Sequence, residues 1–273
     1  MIAPKFIYGT AWKEEATAEL TLMALEAGFT AIDTANQRKH YYEEAVGLAL
    51  EKFLKSGSRA RSDLFIQTKF TFARGQDHRK PYDEAESFTN QVKQSFESSL
   101  QHLKVSEIDS YLLHGPFGAE GLSDSDWETW SAMESLFNQG RTKALGVSNF
   151  NLTQLEQLHS KSTIKPAFVQ NRCFAALNWD KQIRDFCQKN KIHYQGFSVL
   201  TANARQLSRP EVRELSNKYK ATIPQLVFQF CRQIGIIPLT GTSSRSHMLE
   251  DLTQLDFVLT SDELEFLNYR LAE

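Results

Sequence analysis

The sequence predicts one α/β domain, a closed (β/α)8 barrel, on three observations. Eight short apolar runs alternate with segments of helical spacing through 273 residues, close to the roughly 250 residues such a barrel needs. Strands that alternate with helices imply parallel pairing and right-handed crossovers. Just past nearly every run stands a polar or ionisable residue, where this architecture carries its chemistry. A doubly wound open sheet is the competing arrangement, but no GxGxxG follows the first run.

In chain order, the runs read as strands are Lys5–Tyr8, Thr30–Ile32, Leu64–Thr68, Ser110–Leu113, Ala144–Val147, Ala167–Val169, His193–Gly196 and Ile236–Pro238. Helical spacing marks Thr17–Ala27, Glu43–Lys55, Glu84–Leu103, Asp126–Gln139, Leu152–Ser160, Lys181–Lys189, Glu211–Tyr219 and Glu263–Arg270. Several of these end in glycine or in lysine-rich turns, the ordinary stop signals. No composition shift or low-complexity linker divides the chain, so residues 1–273 read as a single domain.

Composition narrows the function classes. Hydrophobic residues make up 41 % of the chain, enough for a large core. The formal net charge of −2 gives no electrostatic reason to capture nucleic acid or an anionic membrane. Cys173, Cys187 and Cys231 form no CxxC and read as free thiols of a reducing compartment. No basic segment followed by an apolar one opens the chain, and no apolar run approaches the roughly 20 residues that span a bilayer. The expectation is a soluble, cytoplasmic protein, a monomer or weak homo-oligomer, with no metal.

The residues beyond the strands are Gly9 and Thr10, Asp33, Lys69, His114, Ser148 and Asn149, Gln170, Phe197 and Ser198, Leu239 and Thr240. Taken singly they say little. Asp33 reads as a loop or capping acid, Lys69 as a solvated strand end, His114 as a core histidine and Asn149 as a turn residue. Their coincidence at consecutive strand ends reads as a convergent site. Gln170 resists a structural explanation, because a buried unpaired amide costs about 1–3 kcal/mol. Between Asp33 and the helix at Glu43, the loop DTANQRKHYYEE carries Tyr41 and Tyr42.

These residues lie in longer motifs: GFTAIDTA (Gly28–Ala35), EEAVG (Glu43–Gly47), LFIQTKF (Leu64–Phe70) and IDSYLLHGP (Ile108–Pro116). GRTKALGVSNF (Gly140–Phe150), KPAFVQNRC (Lys165–Cys173) and IIPLTGT (Ile236–Thr242) continue them. On these motifs the chain resembles the aldo-keto reductases, from Tyr8 to about Asn268. The resemblance implies the same barrel and NAD(P)H-dependent reduction of aldehydes and ketones, with a catalytic set of Asp33, a tyrosine, Lys69 and His114. Protonating the nascent alkoxide calls for an acid. A phenol titrates near pH 10 unaided, and a neighbouring ammonium is expected to lower that value, with Asp33 orienting the lysine. His114 would orient the substrate oxygen.

One departure from the family pattern falls on the acid. The usual tyrosine position, five residues after the aspartate, is Arg38, and the loop is two residues longer than usual. Tyr41 is therefore assigned the role, with Tyr42 as the alternative.

For the cofactor, the resemblance assigns Gly9, Thr10 and Asp33 as contacts, with Ser148, Asn149 and Gln170 on the nicotinamide amide. Phe197 would stack on the ring, and Ser198, Leu200 and Thr201 would line the pyrophosphate. Leu239 stands where a basic residue usually clamps the 2′-phosphate, a loss of roughly 1.5–3 kcal/mol. Thr240, Gly241, Thr242, Ser243, Arg245, His247 and Asp251 remain to hold that end. The expected cofactor is NADP(H), with NAD(H) as the alternative. Trp12, Tyr42, Phe70 and Phe117 are assigned to the walls of a pocket for a small apolar or aromatic carbonyl compound. The chain stops at Glu273 soon after its last helix, so an open, weakly selective site is expected. Two other functions stay open: a cofactor-holding regulatory or sensing barrel, like the potassium-channel β subunits that resemble this family, and a barrel using Lys69 as a Schiff base.

Overall fold

In a computed structural model, which describes residues 3–253 and 257–271, eight parallel strands close on themselves in chain order. They are β1 (Ile7–Gly9), β2 (Ala31–Asp33), β3 (Phe65–Phe70), β4 (Ser110–Leu113), β5 (Leu145–Ser148), β6 (Phe168–Arg172), β7 (His193–Phe197) and β8 (Ile236–Thr240). The ring closes through β1, which pairs with both β2 and β8. All eight lie where the apolar runs placed them, but most end later. The polar residues read as loop still pair: Lys69 lies opposite Leu112, and Arg172 opposite Phe197.

Around the barrel run α1 (Thr17–Ala27), α2 (Glu43–Lys55), α3 (Phe88–Leu103), α4 (Asp124–Asn138), α5 (Leu152–Lys161), α6 (Lys181–Lys189), α7 (Ala204–Leu207), α8 (Pro210–Lys218), α9 (Ile223–Gln233), α10 (Arg245–Leu252) and α11 (Ser261–Glu265). Caps set several of the starts. The Ser87 hydroxyl accepts from the Asn90 amide and begins α3 later than the spacing suggested. Ser123 and Asp126 form a capping box that begins α4 earlier. α9 lies outside the segments that helical spacing marks, although Thr222 and Gln225 box its N-terminus and Pro224 sits in its first turn. Its LVFQFC run is buried at Leu226, Val227, Phe228, Phe230 and Cys231, so neither the strand nor the helix period stands out.

Both faces of the sheet are covered, as parallel sheets require. Along β3, alternation puts Phe65, Gln67 and Lys69 on the barrel's inner face and Ile66, Thr68 and Phe70 against the helices. Phe65 meets Phe168 edge-on at 5.6 Å, within a small apolar cluster with Ile7, Ala31, Ala144 and Leu239. Next along β3 comes an amide layer. Gln67 Nε2 donates to Gln195 Oε1 (2.8 Å), and Gln195 Nε2 returns the bond to Gln67 Oε1 (3.0 Å). Lys69 follows, at the end of the barrel where the strands run out. Among the described residues, no helix is long and apolar enough to cross a membrane.

Candidate active site

Strand geometry brings Asp33, at the end of β2, beside Lys69 on β3. The Lys69 ammonium donates to both carboxylate oxygens of Asp33, at 2.8 and 2.7 Å, and to the Thr34 carbonyl at 2.7 Å. All three of its N–H bonds are thereby used. Lys69 is 0 % exposed and Asp33 2 %, so each ion depends on the other for its loss of water. Burial pulls the lysine pKa below its ordinary value, and the contact with Asp33 pushes it back. Gln67 Nε2 and Gln170 Nε2 also donate to Asp33 Oδ1, at 2.7 and 3.0 Å. The carboxylate is therefore anchored from two other strands, β3 and β6.

The β2–α2 loop is pinned along its length. Asn36 Nδ2 donates to the Ser95 carbonyl and the Ser99 hydroxyl of α3, and Gln37 Nε2 to the Gly75 carbonyl. The Trp12 amide donates to the His40 carbonyl at 2.7 Å. Held this way, the loop turns the Tyr41 side chain into a cavity, with Lys69 Nζ 5.2 Å from the phenol ring centre. Tyr42 is not among the cavity residues; its ring stacks against the Arg38 guanidinium at 3.9 Å. The pKa expectation for the phenol is reversed. Burial, and then the Asp33 carboxylate, push the Tyr41 phenol above its ordinary value, and the lysine's protons go to Asp33 and Thr34. The phenol is held protonated.

His114 follows β4. Its ring meets Tyr41 edge-on at 5.7 Å, and its Nδ1 lies 2.7 Å from the Thr71 hydroxyl. Burial, then the charges of Lys69 and His40, hold it well below the usual histidine range, so it is a neutral imidazole.

Tyr41 and His114 line one end of a cavity of about 1070 Å³. Gly9, Asp33, Ser148, Asn149, Gln170 and Phe197 line it too, as do Ser198, Leu200, Thr201, Leu239, Thr240, Gly241, Thr242, Ser243, His247 and Asp251. Gln170 spends both amide protons on Asp33 and Gln195 (3.0 and 2.9 Å), so its oxygen is the capacity left to offer. Asn149 Nδ2 donates to the His114 carbonyl at 2.8 Å. Trp12, Asn149 and Ser198, all lining the cavity, have φ of 62°, 58° and 56°, in the left-handed region that non-glycine residues adopt uncommonly. At the far end, Thr240 Oγ1 donates to Asp251 Oδ2 at 2.9 Å, and burial raises the Asp251 carboxyl to about 6.

Besides Lys69, which lies behind the cavity against Asp33, five assigned residues are not brought to its lining. Thr10 is buried, its hydroxyl donating to the Asp33 carbonyl. Arg245 opens α10, outside the cavity. Phe70 faces away from the barrel interior, packed on Phe72 and Tyr82, because it is one residue out of phase with Lys69. Phe117 packs on Phe72 and Phe88 under the Arg74 guanidinium. Tyr42 is the fifth. The aromatic wall is built instead from Trp12 and His40, whose rings lie 4.0 Å apart.

His40, Lys13 and Arg172 line the cavity without having been expected there. The Lys13 ammonium donates to the Gly241 carbonyl at 2.6 Å, and burial lowers its pKa to about 8. Its place in sequence, one residue after Trp12, was the one available signal.

The chain matches the model of the aldo/keto reductase family over residues 6–268. It is 28% identical to a protein of Bacillus subtilis named glyoxal reductase, covering 92% of this chain and 82% of that one. It is 29% identical to the mouse estradiol 17 beta-dehydrogenase 5, covering 94% of this chain and 83% of the other. A Bombyx mori aldo-keto reductase solved in complex with NADP superposes with a TM-score of 0.81 at 25% identity, covering 97% of this chain and 88% of that one.

Proposed function

Because the chain belongs to the aldo/keto reductase family, we propose that it reduces an aldehyde or ketone to an alcohol with NADPH, Tyr41 serving as the acid. The observation that carries the reading is the Tyr41 phenol and His114 imidazole opening on one cavity, backed by the buried Lys69–Asp33 pair. A bound nicotinamide would supply the hydride. Tyr41 holds the proton that the developing alkoxide needs, and its raised pKa keeps that proton in place at neutrality. His114, neutral, offers a hydrogen bond to the same oxygen. Such assistance is worth about 10²- to 10⁴-fold.

The donor set fits the cofactor. Ser148, Asn149 and Gln170 suit a carboxamide, Phe197 a flat ring, and the hydroxyls from Thr240 to Ser243 a phosphate. Lys13, reaching Gly241, brings back the cation that Leu239 lacks. Below about pH 8 it is protonated and can pair with a phosphate; above, it is not. The KM for NADPH is therefore expected to rise as pH climbs through that value. Lys13→Met should remove the inflection and raise the KM about tenfold or more. Unchanged KM and salt dependence in that variant would take Lys13 out of the cofactor site.

A second reading, a cofactor-holding barrel with little turnover, draws on one observation: none of the three Lys69 protons reaches Tyr41. Mixing the pure protein with NADPH and 4-nitrobenzaldehyde, and following the loss of cofactor absorbance, separates the two. Tight binding without turnover selects the second reading, and neither binding nor turnover overturns both.

A further inference from the structure

We propose that Thr71 is a positioning residue that sets the tautomer of His114, holding Nε2 protonated toward the cavity. Thr71 follows β3, two residues past Lys69, and is 7 % exposed. It is fixed from three sides. Its carbonyl accepts from the Tyr82 hydroxyl at 2.7 Å and from Gln76 Nε2 at 3.3 Å. Its methyl fills the space beside Gly75, where any Cβ would fall 2.8 Å from it. Its hydroxyl lies 2.7 Å from His114 Nδ1 and has no other hydrogen-bond partner among the described residues. The histidine is fixed as well, its amide donating to the Phe70 carbonyl at 2.9 Å and its carbonyl accepting from Asn149.

Proton counting decides the direction of the Thr71–His114 bond. A threonine hydroxyl carries one proton and two lone pairs, and a neutral imidazole one donor and one acceptor. If Nδ1 carried the proton and donated to Thr71, the buried hydroxyl proton would have no acceptor. If Thr71 donates to Nδ1, the buried hydroxyl proton has its acceptor and the ring proton sits on Nε2, the ring nitrogen left to face the cavity. Buried donors are seldom left unmade, so the second arrangement holds. The ring then shows the cavity one N–H, suited to a carbonyl oxygen. That last consequence rests on the reductase reading; the tautomer does not.

The test is nitrogen-15 NMR of histidine-labelled protein, with the His114 signals identified by their loss in His114→Gln. The expected wild-type pattern is a protonated Nε2 and a bare Nδ1, kept in Thr71→Ser. Thr71→Val should show a mixture of tautomers, with kcat on the aldehyde about three- to tenfold lower, the worth of one neutral hydrogen bond, and the KM for NADPH unchanged. Thr71→Ala repeats the measurement should the valine variant fail to fold. A wild-type protein with its proton on Nδ1 overturns the proposal whatever its activity. So do variants lacking the hydroxyl that keep the single Nε2–H pattern. An inactive protein with the expected pattern would sink the reductase reading and leave this one standing.

Discussion

Lys69→Met is expected to bring turnover close to zero, a fall of about 10²- to 10⁴-fold, while NADPH binds within a few-fold of wild type. The lysine lies behind the cavity rather than in its wall, fully buried against Asp33, so its loss removes charge from the acid's surroundings without removing a cofactor contact. Removing it also leaves the Asp33 carboxylate buried without its counter-ion, which costs about 3–5 kcal/mol of stability. Steady-state kinetics, a cofactor fluorescence titration and thermal unfolding read the three effects apart. Adding Asp33→Asn to Lys69→Met should recover part of the stability and none of the turnover. Full activity in the single variant would refute the catalytic assignment.

Tyr41→Phe should lower kcat by about 10²- to 10⁴-fold, and Tyr42→Phe by no more than a few-fold. Each change deletes one oxygen and keeps the ring, so packing is spared and only proton transfer is tested. Tyr41 opens on the cavity beside His114; Tyr42 lies outside it, stacked on Arg38. Since burial and Asp33 raise the Tyr41 pKa, wild-type reduction should show no loss from phenol ionisation through neutral pH. Alcohol oxidation, which needs the phenolate, should be slow there. The opposite ranking of the two variants would move the acid to Tyr42.

The barrel could be read in the sequence because its strands are short apolar runs closed off by polar residues, and both signals are local. Asp33, Lys69 and His114 were legible for the same reason, each the residue just after or within such a run. Phe70 shows where the reading slipped. It adjoins a site residue in sequence, and strand alternation sends it to the opposite face from Lys69. His40 could not be read at all, since the path of its loop, set by Asn36 and Gln37 reaching distant carbonyls, decides what it faces; Lys13 offered only its place beside Trp12. The capping box of α9 was present but hidden by an apolar run without period. Thr71 meets His114 across a gap of 43 residues, a pairing no spacing announces.

The amides inside the barrel constrain how this sequence can drift. Gln67 and Gln195 trade bonds, and both, with Gln170, bear on Asp33 directly or through one another. Changing one glutamine to an aliphatic residue strands its partners' polar groups at about 1–3 kcal/mol each, while changing interacting members together to fitting apolar groups is close to neutral. Because Gln67 also donates to Asp33 and Gln195 also accepts from Gln170, inheritance should be joint across positions 67, 170 and 195, with single steps selected against.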